Sequence, residues 1–283
     1  MRMRPVFAVA FSAALLGAFA CGPREPPTSA EVVAVSRASM PADPADAVWH
    51  EAPVHVAPLL LQDMVEPRLL QASTGAVRVQ AVTDGARVAF RLEWADTTAD
   101  DLPLPARFSD ACAVQLPTRV QADVPAPQMG EAGRPVEIVL WRASWQAVVD
   151  GRGDTIQDLH PRASVDHYPF EAAPAGAPRQ EMAARYSPAR ALGNTMAGPR
   201  ERPVEDLVAE GPGTLKPAAG DSSGRGRRTR EGWAVVLSRR LPAGLAPGTR
   251  SQAAFAVWEG AREEAGSRKM RTGWVPILVE KKP

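Results

Sequence analysis

The chain has 283 residues and a formal net charge of +1, enough to bury a full core as one large β domain or two small ones. So balanced a charge leaves no electrostatic footprint for nucleic acid or an acidic membrane surface. Its 28 prolines and 22 glycines favour short strands, turns and long loops over helical bundles.

In chain order, Arg2 and Arg4 precede an apolar run from Val6 to Phe19, too short to span a bilayer in a mature protein. Residues 1–20 therefore read as an export signal, which predicts a periplasmic protein. Ala18-Phe19-Ala20 is an A-x-A site for ordinary signal peptidase, yet Cys21-Gly22 follows at once, as in a bacterial lipoprotein. Leu15 and Leu16 lie upstream of the place where a lipobox leucine stands, so both processing routes stay open, with Cys21 as the candidate lipidation site. Residues 21–30 form a Pro-rich tether, and 31–283 read as one domain.

Strand-like runs then recur. Gly75 to Val82 and Arg87 to Trp94 flank Asp84-Gly85, a two-residue type I′ hairpin signal. In the second run Val88, Phe90, Leu92 and Trp94 share one face, with Arg91 and Glu93 on the other. Further alternating runs are Asp110 to Leu116, Pro135 to Trp141, Gly232 to Arg239, Gln252 to Trp258 and Gly273 to Glu280. Period-2 patterning without a long amphipathic helix predicts an all-β fold, an antiparallel β-sandwich with long irregular loops and few short helices. The stretch from Val149 to Arg230 is weakly patterned, and its Arg/Gly-rich part from Thr214 to Arg230 reads as flexible and turn-rich.

Hydrolytic and covalent-haem chemistry find no footing. The sequence has no H-E-x-x-H, P-loop, C-x-x-C or C-x-x-C-H. His50, His55, His160 and His167 lack metal-site spacing, and Cys112, in an alternating strand, reads as a buried core thiol. Two loops stand out instead. Val124-Pro125-Ala126-Pro127-Gln128-Met129-Gly130 is stiffened by proline and holds one methionine. Gly266-Ser267-Arg268-Lys269-Met270-Arg271 carries one of only four lysines in the chain. Unlike arginine, a lysine can be made neutral by apolar surroundings and so become a nitrogen ligand. Alone, each segment has an ordinary explanation: a methionine plugging a core gap, and a solvated lysine.

Their order does more. The Asp110-to-Pro117 strand, the Met129-Gly130 loop, the Pro135-to-Trp141 strand, Gly232-Trp233-Ala234-Val235, Phe255-to-Gly260 and Lys269 before Trp274 resemble the haem b-binding gamma subunits of type II dimethyl sulfoxide reductase-family enzymes. These include ethylbenzene dehydrogenase, dimethyl sulfide dehydrogenase, selenate reductase and chlorate reductase, with related gamma-type subunits in nitrite oxidoreductases. The resemblance spans roughly residues 30 to 280, and Trp49-His50-Glu51-Ala52-Pro53 fits the family's first strand. It implies a non-covalent haem b whose iron is held axially by Met129 and Lys269. Met270 is the weaker alternative to Met129, and Met182 and Met196 match no motif. Arg268 and Arg271 are candidates for the haem propionates. The implied partners are an iron–sulfur beta subunit, a molybdenum catalytic alpha subunit and a soluble or membrane cytochrome.

The chemistry is coherent. A thioether stabilises ferrous iron. Deprotonating a lysine of ordinary acidity costs about 5 kcal/mol at pH 7, to be met by burial and the metal. Two axial ligands leave no open position for substrate, so such a subunit would pass electrons without transforming one. The rival expectation is a secreted sandwich like a carbohydrate-binding module, without haem, which would need an exposed aromatic face.

Overall fold

In the computed structural model, residues 27–281 are described apart from 103, 154, 165–175, 187–188, 190–191, 193 and 195–199. The export signal, Cys21, His167 and Met196 therefore lie outside the described residues. The strands are β1 Val32–Ser36, β2 His55–Pro58, β3 Leu60–Leu61, β4 Ala76–Thr83, β5 Arg87–Ala95, β6 Ala111–Pro117 and β7 Val136–Arg142. After them come β8 Val204–Ala209, β9 Lys216–Pro217, β10 Ser223–Arg228, β11 Gly232–Arg240, β12 Arg250–Trp258, β13 Met270–Arg271 and β14 Val275–Val279. Three short helices, α1 Ala143–Val149, α2 Ile156–Leu159 and α3 Ala177–Tyr186, lie between β7 and β8.

Two layers share one strand. The first runs β10-β11-β5-β4-β1-β14 and ends on the N-terminal half of β12, where Arg250 to Ala253 pair with β14. The C-terminal half of β12, from Ala254 to Trp258, pairs with β6 and begins the second layer, β12-β6-β7-β8-β9, with β13 and β3 on its other side. The expected β-sandwich is present. It is antiparallel except at β1, which runs parallel to both β4 and β14. No hairpin joins β1 to either neighbour, and only long connections allow parallel pairing.

The facing sides lock through aromatic rings. Trp141 on β7 meets Trp233 of β11 at 5.1 Å and Trp94 of β5 at 6.4 Å, both edge-to-face, and Phe90 meets Phe255 at 6.0 Å. Val88, Phe90, Leu92 and Trp94 do share the core side, while Arg91 and Glu93 pair at 2.7 Å on the opposite face. Cys112 is fully buried in this core as a free thiol.

Three sequence expectations change. The Asp84-Gly85 turn is longer than two residues, because Thr83 pairs with Val88 and the Asp84 carboxylate accepts from the N–H groups of both Ala86 and Arg87. Trp49 to Glu51 belong to a 3-10 turn over Ala47–Glu51, packed on the outer side of the first layer, rather than to a strand. The Arg/Gly-rich segment contains an ordered edge strand, β10, with Arg225 and Arg227 outward and its glycines inward. A Cβ on Gly226 would lie 2.2 Å from a Trp141 ring carbon, and one on Gly224 would lie 2.4 Å from Val204. Only glycine lets β10 close over the tryptophan.

Asp110, at the mouth of β6, ties distant segments together. It is fully buried. One carboxylate oxygen accepts from the Gly260 N–H at 2.8 Å, and the other accepts from the Asp100 N–H at 2.8 Å and Trp233 Nε1 at 2.9 Å. Burial pushes its pKa up to about 7, with the charge of Asp96 acting the same way, against the pull of the three donors.

Gly226→Val should destabilise the fold by about 2–3 kcal/mol through overpacking against Trp141, whereas the outward Arg225→Val should change it by less than about 1 kcal/mol. Equal urea midpoints for the two variants would refute the inward packing of β10. Because folded Asp110 holds its proton more tightly than an unfolded aspartate near 3.8, its contribution to stability is complete below that pH and lost as pH rises through about 7. Asp110→Asn, neutral throughout, should flatten that part of the pH slope, and an unchanged slope would exclude Asp110 as its source. Asp110→Ala strands three donors and should cost about 3–5 kcal/mol.

Candidate functional site

The outer face of the second layer is hollow. Strand alternation sends Phe255 and Val257 into the core and Ala254 and Ala256 outward, next to outward-facing Ala111 and Ala113 of β6. Ile138 and Leu140 of β7 and Leu207 of β8 extend the same apolar surface. Four small side chains side by side lower the floor, and a cavity of about 610 Å³ stands over it. That is the size range of cofactor sites.

Met129 and Lys269, 140 positions apart in the sequence, both line this cavity. Met129 comes from the β6–β7 loop and packs on the same apolar cluster as the alanines. Its backbone is left-handed, φ 68°, an uncommon state for a residue with a side chain. The surroundings enforce it. Gly130 follows at φ 78°, where a Cβ would lie 2.9 Å from the Arg134 carbonyl oxygen. Gly211 N–H donates to the Met129 carbonyl at 2.8 Å, and Gly130 N–H donates to that of Ala126 at 2.9 Å. Two side chains pin the proline segment: Gln115 Nε2 donates to the Pro127 carbonyl at 3.0 Å, and Trp274 Nε1 donates to that of Pro125 at 2.6 Å. Trp274 follows the lysine segment closely, so this last bond couples the two loops.

Lys269 precedes β13, whose register on β12 sets it beside Trp258, and its Nζ lies 5.0 Å from that ring. The Gln62 N–H donates to the Lys269 carbonyl at 3.1 Å, and Gln62 Nε2 donates to that of Ser267 at 3.0 Å. Burial, with the neighbouring charge of Arg271 second, pushes the Lys269 ammonium down to about 8 from 10.5. Neutralising it at pH 7 then costs roughly 1.4 kcal/mol, against nearly ~5 for an ordinary lysine.

The other expected residues separate. Arg271 lines the cavity, while Arg268 sits 5.5 Å over the Phe108 ring and is not part of the cavity wall. Met270 faces the core, 1 % exposed, on the side of β13 opposite Lys269. Met182 lies on α3, and neither it nor any described histidine lines the cavity. Among the described residues, no group of three or more His, Cys, Asp or Glu could hold a metal ion. A thioether and a depressed amine in one apolar hollow suit a low-spin iron porphyrin better than a hydrated ion.

Several wall residues carried no sequence signal. Gln62 and Gln115 act through backbone groups of other segments. Glu264 is 1 % exposed and lines the cavity; one oxygen accepts from the Glu259 N–H at 3.1 Å, and burial raises its pKa above the usual carboxylate range. Arg142, Trp145 and Arg200 form the wall near the start of α1. Trp258, whose alternation resembles that of a core residue, instead faces this outer side, half-buried, with Nε1 donating to the Gly266 carbonyl at 3.0 Å.

Comparison with known proteins bears on the same region. The chain is 26% identical over 257 residues to a Haloferax mediterranei protein named as a respiratory nitrate reductase heme subunit, covering 88% of this chain and 72% of that protein. It is 26% identical over 278 residues to the chlorate reductase subunit gamma of Ideonella dechloratans, covering 94% and 92%. A family 9 carbohydrate-binding module from Caldicellulosiruptor kristjanssonii, in complex with cellotriose, aligns over 89% of this chain and 94% of its own at 10% identity and a TM-score of 0.40. Residues 46–270, a span that contains the alanine floor and both loops, match the ethylbenzene dehydrogenase family, and the chain belongs to that family.

Proposed function

We propose that this chain is a non-catalytic electron-transfer subunit holding one non-covalent haem b over the alanine floor, with Met129 and Lys269 as axial ligands. The observation that carries this reading is the convergence of those two side chains on one apolar cavity, with the lysine already close to neutrality. Support also comes from family membership and from the two relatives, one named as a heme subunit of a respiratory nitrate reductase and the other as the gamma subunit of a chlorate reductase. When bound, the haem supplies a one-electron carrier.

The chain's own residues then have defined tasks. The strained Met129 backbone, braced by Gly130 and Gln115, presents a thioether without having to reorganise. Gln62 fixes the lysine segment from behind, while burial and Arg271 press Lys269 to give up its proton. The alanines and Leu140 exclude water. With both axial positions taken, no place remains for a substrate. Electrons would pass between the iron–sulfur beta subunit of a molybdenum enzyme, which serves its catalytic alpha subunit, and a soluble or membrane cytochrome. The N-terminal segment would send the chain to the periplasm, held at a membrane if Cys21 is lipidated and free if cleavage occurs at Ala20.

The rival sugar-binding reading has little to stand on. Trp94, Trp141 and Trp233 are locked in the core, which leaves no exposed row of rings on the described strands for a saccharide.

Haem-replete expression of the full chain should give a Soret band and a dithionite-reduced b-type spectrum with a positive pyridine haemochrome assay. A wild-type chain that takes up no haem would sink the proposal. Met129→Ala and Lys269→Ala should each convert the low-spin spectrum to a high-spin one. Unchanged low-spin bands in both variants would remove the axial assignment while leaving the haem in place.

A further inference from the structure

The cavity wall three strands away from Lys269 carries a second device. Strand register aligns Lys269, Trp258, Ala111 and Arg142 in one row across four neighbouring strands, which sets the Lys269 and Arg142 backbones roughly 14 Å apart at interstrand spacings of about 4.8 Å. Arg142 ends β7, and Trp145 follows three residues later in the first turn of α1. Arg200 returns to the same place just before β8, where the Arg142 N–H donates to the Pro203 carbonyl at 3.4 Å. The Arg142 guanidinium stacks 5.0 Å from the Trp145 ring, and that of Arg200 stacks at 3.7 Å. All three line the cavity, and the Arg142 Nε is buried there without a hydrogen-bond partner.

We propose that Arg142 and Arg200, backed by Trp145, form the clamp that receives the propionate carboxylates of the bound porphyrin and so fixes its orientation in the cavity. The inference rests on the haem reading above. A guanidinium held flat against an indole presents its donor fork to a carboxylate at little further entropy cost. A buried donor without an acceptor is costly, and a ligand carboxylate would supply what Arg142 Nε lacks. Glu205 is near enough to act on both guanidiniums. Two arginines on one aromatic surface can take two carboxylates of a single molecule together. Arg271, the other cavity arginine considered above, sits beside Lys269 and directs its Nη2 toward Met64 Sδ at 3.7 Å. There its charge serves to keep the lysine amine neutral.

The full chain, freed of haem, can be titrated with ferric haem b and with the dimethyl ester of the same haem, following the Soret band. The wild-type chain should bind the diacid at least tenfold more tightly than the ester. Arg142→Gln and Arg200→Gln should each lose about tenfold for haem b and nothing for the ester, with Arg142→Lys recovering part of the difference. Arg268→Gln and Arg271→Gln should keep the wild-type preference. The clamp is overturned if the wild-type chain binds both compounds alike, if Arg142→Gln weakens both equally, or if the preference disappears in Arg271→Gln instead. Should Arg142→Gln fail to fold, the wild-type comparison and Arg200→Gln decide the matter. A chain that takes up neither compound overturns the haem reading itself, and the clamp with it.

Discussion

Everything in this molecule turns on the two faces of one strand. β12 must fill the core with Phe255 and Val257 while withholding volume on its other side with Ala254 and Ala256. Large side chains inward join the layers; small ones outward, matched by Ala111 and Ala113 on β6, leave the hollow. The strand also belongs to both layers, pairing with β14 at one end and β6 at the other, so the cavity floor is anchored in the core of the whole domain. A bulky residue at Ala113 or Ala256 would fill the site without disturbing the core beneath it.

The ligand arms depend on that floor and on each other. A left-handed methionine costs on the order of 1–2 kcal/mol and persists only where neighbours over-determine it. Here Gly130 fits where no side chain could, Gln115 reaches up from the floor strand, and Trp274 reaches across from the lysine side. On the opposite arm, burial has already removed most of the cost of a neutral Lys269. A hollow that only buried a lysine would be a liability. One that gathers a buried lysine, a thioether and Arg271 around a single apolar cavity has a soft-metal character that a set of histidines and carboxylates would not have.

Much of the fold was legible because its inward residues are large. Val88-x-Phe90-x-Leu92-x-Trp94 could be read in phase, and the structure keeps that phase. β10 could not, because its inward residues are glycines chosen to admit Trp141, and glycine at alternate positions looks like a flexible linker. Trp258 escaped for the opposite reason. Alternation says which residues share a face but not which face is the core, and a tryptophan fits either. Met129 and Lys269 came from family resemblance, while the groups that set them in place act across gaps no local pattern spans: Gln62 bonds Ser267, and Asp110 bonds Gly260. The alanines were legible as strand residues, and their absence of bulk carried the information.

Placing the cavity outside the sandwich has a consequence for assembly. The space between the layers is closed by the Trp94, Trp141 and Trp233 cluster and by Phe90 against Phe255, none of which borders the hollow except Phe255 through its backbone strand. The core therefore completes itself from protein atoms, and a cofactor adds to a formed surface without having to nucleate it. That differs from sites built between two sheets, where the ligand substitutes for core side chains and folding waits for it. An outer-face site also keeps one edge of its occupant close to solvent and to whatever docks there, which suits the electron-transfer role proposed above. The same exposure makes retention the problem to be solved, since no covalent link is available in a chain without a C-x-x-C-H motif. On the proposed ligation, retention would come from the two axial bonds and from charge on the cavity wall, where two arginines stack on Trp145.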